Sequence, residues 1–157
     1  VKESVYIETS ILGYLTARST NNKFISANME ITQAWWSDRR NSFTLYTSQA
    51  VVNEVAKGDI NIASQRLEIL RDFQLLEINQ AVRDLAMKFL SFSNLPPKAN
   101  IDAIHIATAT VHNLDYLLTW NCKHIANAQI QKKLAQISRN CNYELPILCT
   151  PYELLGE

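Results

Sequence analysis

Three carboxylates in this chain stand where folded proteins rarely leave one without a partner. Glu8 closes the apolar run Val5-Tyr6-Ile7 in "VYIETSIL", followed by the hydroxyls of Thr9 and Ser10. Glu54, in "TSQAVVNEVAKGD", shares a helical stretch with Val51, Val52 and Val55, which require a core. Asp102 opens "NIDAIHIATATVHN", a segment apolar around nearly its whole circumference. Burying a carboxylate among apolar neighbours costs several kcal/mol unless it is paired, hydrogen-bonded or bound to a cation. Carboxylates gathered without matching cations repel, and a divalent ion removes that repulsion. Three oxygen ligands suit Mg²⁺ or Mn²⁺ better than zinc. Zinc held by Cys122, His124 and His105 is an alternative without a recognised spacing.

Each residue also has a plainer reading. Asp102 can be a first-turn carboxylate favoured by the helix dipole. His105, three residues on and in one polar stripe with Asp102 and His112, can be hydrogen-bonded in the core. Glu54 can be a solvated charge beside Lys57. Asn121, in "LLTWNCKHIAN", can cap a helix start whose Lys123, His124 and Asn127 are solvated. The plain readings hold singly; the elements decide whether the groups meet.

Short strand-like runs alternate with amphipathic stretches. Ser4 to Ile7, Phe43 to Thr47, Gln74 to Ile78, Tyr116 to Thr119 and Ile147 to Cys149 read as strands. Helices are expected over Ala27 to Arg39, Gln49 to Lys57 (capped by Ser48, stopped by Gly58), Ile60 to Leu70 (capped by Asp59) and Gln80 to Phe92 (capped by Asn79). Two more follow over Ile101 to His112 and Ala126 to Ile137. The prolines of "SNLPPKAN" mark a loop. Strands separated by helices predict an α/β fold with a central parallel sheet covered on both faces. Ligands in such folds bind beyond the carboxyl ends of the strands. Glu8 and Asn121 both follow strands and would reach that rim.

Bulk properties narrow the function. The 157 residues fit a single domain over 1–157, with 47% hydrophobic and 19% charged residues. Fifteen basic residues balance fifteen acidic ones, so a polyanion would have to be held by a local patch or a bound cation. Three cysteines without CxxC spacing argue against a disulfide framework and fit a reducing cytoplasm. No signal peptide or apolar run of membrane-spanning length is seen, so a soluble cytoplasmic protein is expected. The absence of GxGxxG and P-loop patterns weakens a nucleotide-binding or phosphatase reading.

From "VYIETSI" through "WW", "VVNEVAKGD", "IDAIHIATA" and "DYLLTWNCKHIAN" to "LCTPYELL", the chain resembles PIN-domain proteins of the VapC toxin type. The resemblance implies a three-layer α/β/α sandwich and a metal-dependent ribonuclease, the toxin of a toxin–antitoxin pair. The family's first acid, an Asp after the first strand, matches Glu8. The second and third match Glu54 and Asp102, and the fourth, often Asp, matches Asn121. The chain therefore departs from the commonest pattern twice: by one methylene at Glu8 and by one charge at Asn121.

The implied reaction is hydrolysis of an RNA phosphodiester, with Glu8, Glu54 and Asp102 holding Mg²⁺ or Mn²⁺. Ser10 is expected to position a water at the metal, and Asn121 to orient the nucleophile or the metal. Thr9, Arg18 and Lys123 are substrate-binding candidates, alongside Lys23 and Arg39-Arg40, with solvated charge as the plainer role of each cation. A small antitoxin and a second copy of the chain are expected partners. Trp35 reads as core and Trp36 as part of a protein interface. The alternative is a non-catalytic PIN-fold module that binds RNA or protein.

Overall fold

The computed structural model describes residues 1–156. Five short strands, β1 (Glu3–Ile7), β2 (Phe43–Ser48), β3 (Gln74–Leu76), β4 (Tyr116–Leu118) and β5 (Ile147–Cys149), form one parallel sheet in the order β3-β2-β1-β4-β5. The register sets Tyr6 against Tyr46 on one side and Leu117 on the other. The central strand carries Val5, Tyr6 and Ile7 fully buried, as a strand covered on both faces must. The expected three-layer α/β/α sandwich is the fold observed.

The strand order explains how the layers are filled. The chain steps outward from β1 to β2 to β3, returns past β1, and steps outward again through β4 and β5. Right-handed crossovers therefore send the first helices to one face and the later ones to the other. α1 (Thr9–Leu15), α2 (Lys23–Arg39), α3 (Gln49–Val55) and α4 (Ile60–Leu70) belong to the first set, in which α1 packs on α2, α3 and α4. α5 (Gln80–Phe92), α6 (Asn100–Val111) and α7 (Ala128–Asn140) belong to the second, with α5 packed on both α6 and α7. The reversal lies between β1 and β4. A crevice at their carboxyl ends is where such sheets place ligands.

Local chemistry sets most boundaries. Asp59 accepts hydrogen bonds from the amides of Asn61 and Ile62, and Asn79 from Val82, so both cap as expected. Gly58 stops the preceding turn at φ +88°, a left-handed conformation suited to glycine. Three expectations are corrected. Ser48 makes no side-chain cap; its hydroxyl lies 2.7 Å from the Tyr6 hydroxyl. The segment after Glu8 is a helix, α1, that periodicity did not announce, with Ile11 and Leu12 fully buried. α2 starts at Lys23 rather than Ala27, because Asn22 caps it through the amides of Phe24 and Ile25.

Trp35 is fully buried and stacks on Phe43 at 6.0 Å between centroids. Trp36 is half-buried against Phe73, with the Arg40 guanidinium 4.6 Å from its ring centroid. Arg40 also donates to the Trp36 carbonyl, so it is held against α2.

Candidate functional site

Beyond the end of β1, Glu8 is the N-cap of α1. Its carboxylate sits on the positive end of the helix dipole, a position that favours negative charge. Oε1 accepts from the Ser10 amide (3.2 Å), the Ser10 hydroxyl (2.5 Å) and the Thr119 hydroxyl (2.6 Å). The Ser10 oxygen in turn accepts from the Trp120 amide, and the Thr119 oxygen from the Asn121 amide. Glu8 is thereby clamped between α1 and the turn after β4 and is 5% exposed. Three donors offset its desolvation, and all three act on one oxygen.

Glu54 reaches the same place from α3. Its Oε1 accepts from the Thr9 hydroxyl (2.5 Å) and lies 2.7 Å from Nε2 of His105 on α6. The other nitrogen of His105 is 2.7 Å from the Tyr6 hydroxyl. Burial pulls the Glu54 carboxyl upward, but the bonds from His105 and Thr9 outweigh it and hold the group below its ordinary range. Burial drives the Tyr6 phenol far above its usual range, so it keeps its proton.

One ligand atom from each of Glu8, Glu54 and His105 lies within 4.8 Å of the others. Two carboxylates with all their protein donors on Oε1 leave each Oε2 without a donor among the described residues. Hard oxygen donors of this kind fit Mg²⁺ or Mn²⁺. Among the described residues this is the one group of three such side chains, so Cys122, His124 and His105 do not assemble a zinc site.

The other expected residues take up nearby but different positions. Asp102, one helical turn before His105 on α6, places its Oδ2 2.9 Å from Nδ1 of His124. Asn121 accepts from the His124 amide through Oδ1 (3.0 Å), capping the turn between β4 and α7. Thr9 is engaged with Glu54, and Ser10 with Glu8. Arg18 and Lys123 are exposed, Arg18 after α1 and Lys123 in the turn after β4. His105, expected only as a core histidine or as a ligand of the alternative zinc site, completes the network with Tyr6, Thr119 and Ser48, which were not among the expected site residues. A histidine inside an otherwise Ile- and Ala-rich helix was the one signal that pointed to them.

A family model for the PIN domain matches residues 5–123, which contain Glu8, Glu54, Asp102, His105 and Asn121. Among solved structures, the chain is similar to the sarcin-ricin-loop-cleaving toxin VapC20 of Mycobacterium tuberculosis. The identity is 13% and the TM-score 0.62, over 82% of this chain and 98% of that one. VapBC2 of Rickettsia felis, solved with a fragment of promoter DNA, is 17% identical over 76% of this chain and 88% of that one, with a TM-score of 0.48. No curated protein sequence matches significantly. With most of its length matched by the family model, the chain belongs to the PIN-domain family.

Proposed function

We propose that this protein is a divalent-metal-dependent endoribonuclease and the toxin of a toxin–antitoxin pair. The observation that carries the reading is the convergence of Glu8 and Glu54 at the sheet's switch point, each with one oxygen free of protein donors among the described residues. Membership of the PIN family supports a nuclease role, and the fold likeness to a sarcin-ricin-loop-cleaving toxin supports the toxin reading.

Glu8, Glu54 and Asp102 are the residues that would hold Mg²⁺ or Mn²⁺. When bound, such an ion supplies Lewis-acid polarisation of the phosphoryl oxygens and a water of lowered pKa. The chain's own residues prepare the place. Ser10 and Thr119 fix Glu8 in one orientation. Thr9 and His105 do the same for Glu54, and His124 holds Asp102. Asn121 ties its turn to the same edge, where its side-chain amide would orient the attacking water. Arg18 and Lys123 would meet phosphates flanking the scissile bond. A small antitoxin and a second copy of the chain complete the reading as partners.

The test is cleavage of single-stranded and structured RNA with Mg²⁺ or Mn²⁺ by wild type, Glu8→Gln and Asp102→Asn. Metal-dependent cleavage by wild type, lost in both variants, is expected. Equal cleavage by the variants would assign the activity to a contaminant or another site. Binding of RNA in EDTA with no cleavage in metal would favour the non-catalytic module.

A further inference from the structure

Positive charge is segregated in this net-neutral chain. From Tyr116 to Tyr143 there is no Asp or Glu, yet Lys123, Lys132, Lys133 and Arg139 occur there. α7 buries Ile130, Leu134, Ile137 and Ser138 and exposes Gln129, Lys132, Lys133, Gln136, Arg139 and Asn140. A solvated helix face ordinarily mixes both signs. This one carries only cations and amides.

The neighbouring helix extends the pattern. A groove of about 390 Å³ is lined by Lys88 and Phe92 of α5 together with Lys133, Gln136 and Asn140. A second, of about 480 Å³, shares Lys133 and Gln136 and adds Asn94, Lys132 and Arg139. Among the described residues no carboxylate lines either groove. Phe92 is 64% exposed between Lys88 and Lys133. Asp84 lies beside Lys88 in an adjoining groove, and Glu144 beside Lys132 and Arg139 on the far side of α7. The ion pairs among the described residues leave all of these lysines and Arg139 unpaired.

We propose that the α5–α7 face holds single-stranded RNA, with its phosphates on Lys88, Lys132, Lys133 and Arg139 and a base stacked on Phe92. Cations without interleaved carboxylates complement a polyanion. An exposed aromatic ring flanked by lysines is the arrangement that takes an unpaired base. The face is also continuous in sequence with the candidate site. The turn that carries Asn121, Lys123 and His124 leads into α7 at its cap, Asn127. From Gln129 to Asn140 the helix then extends about 16 Å. The choice of RNA over another polyanion rests on the ribonuclease reading; the charge segregation does not.

The experiment uses the full chain in EDTA, so that binding is read without cleavage. Anisotropy of a fluorescent single-stranded RNA is titrated at several KCl concentrations. Lys132→Gln/Lys133→Gln should bind at least about tenfold more weakly, with a salt slope lower by about 1.4 for two lost single-strand contacts. Phe92→Ala should bind about 5- to 150-fold more weakly with an unchanged slope. Arg71→Gln, which removes an exposed cation paired with Glu68, should bind as wild type does. Melting curves confirm that the exposed substitutions leave the fold intact.

Variants that bind as tightly as wild type, or a wild type that does not bind RNA, would overturn the proposal. So would equal capture of DNA of the same sequence. Lysine-dependent RNA binding by a wild type that cleaves nothing in Mn²⁺ would support this face while overturning the ribonuclease reading.

Discussion

Nε2 of His105 lies 2.7 Å from Oε1 of Glu54, and both atoms belong to side chains that meet across 51 residues of sequence. A carboxylate below its ordinary pKa range can only accept, so this nitrogen carries a proton whatever the charge of the ring. His105 therefore gives Glu54 a hydrogen bond rather than competing with it for a cation. Its geometric membership of the three-residue group is real, but its chemistry is that of a positioning residue. Tyr6, held at 2.7 Å from both Nδ1 of His105 and Oγ of Ser48, keeps the ring from turning.

Tyr6→Phe tests this relay. The ring is retained and only the hydroxyl is lost, leaving Nδ1 of His105 and Oγ of Ser48 buried without that partner. Each unsatisfied group costs about 1–3 kcal/mol. Urea denaturation should register a loss of at least about 1 kcal/mol, and kcat should fall while KM changes little. An unchanged stability would remove the relay.

Glu54→Gln separates charge from shape. The amide oxygen can still accept from Thr9 and His105, but the repulsion from the Glu8 carboxylate disappears. The loss of charge-assisted bonds outweighs that relief, because the carboxyl is held below its ordinary range, so the metal-free protein should melt lower than wild type. Its Mn²⁺ affinity should fall by more than the roughly 10- to 100-fold typical of losing an outer-shell partner, and Mn²⁺ should no longer raise the melting temperature. Calorimetric titration and melting with and without Mn²⁺ give both readings; a variant that binds Mn²⁺ as wild type does would show that Glu54 is no ligand.

Acid stability follows from the same hydrogen bonds. The Glu54 carboxyl is held below its ordinary value of 4.5, so its contribution to stability is complete above that value and fades as pH falls through the lower folded-state value. Thr9→Val removes one of the two donors responsible and lets the carboxyl rise. The acid midpoint of tryptophan fluorescence should then move to higher pH. A midpoint that stays in place would mean that His105 alone sets the shift.

What could be read from the sequence was what is decided locally. Asp59 and Asn79 cap because each bonds amides two or three residues ahead, and the end of a strand was enough to put Glu8 at the rim. α1 escaped because seven residues including Gly13 show little periodicity; it is anchored by its Glu8 cap and by Ile11 and Leu12 in the core. Ser48 looked like a cap because nothing nearby revealed that Tyr6, on the adjacent strand, would take its hydroxyl. α6 posed the same difficulty. Spacing made Asp102 and His105 neighbours of each other, whereas packing gives Asp102 to His124 and His105 to Glu54.

Asn121 is the position at which the family's pattern loses a charge, and its geometry makes a sharp test. Oδ1 accepts from the His124 amide, a role Asp fills as well as Asn, so Asn121→Asp should keep the turn intact. The turn also carries His124 against Asp102, and the Asn121 amide bonds Thr119, which holds Glu8. A new carboxylate therefore enters a region already connected to two proposed metal ligands. Without metal, added repulsion should lower the melting temperature; with Mn²⁺, the extra charge should tighten binding and raise it. Less Mn²⁺ should then be needed for RNA cleavage. Melting and calorimetric titration of both proteins decide the matter: equal Mn²⁺ affinity would confine Asn121 to capping its turn, while a tighter site with a weaker apo fold would place it among the groups that face the cation.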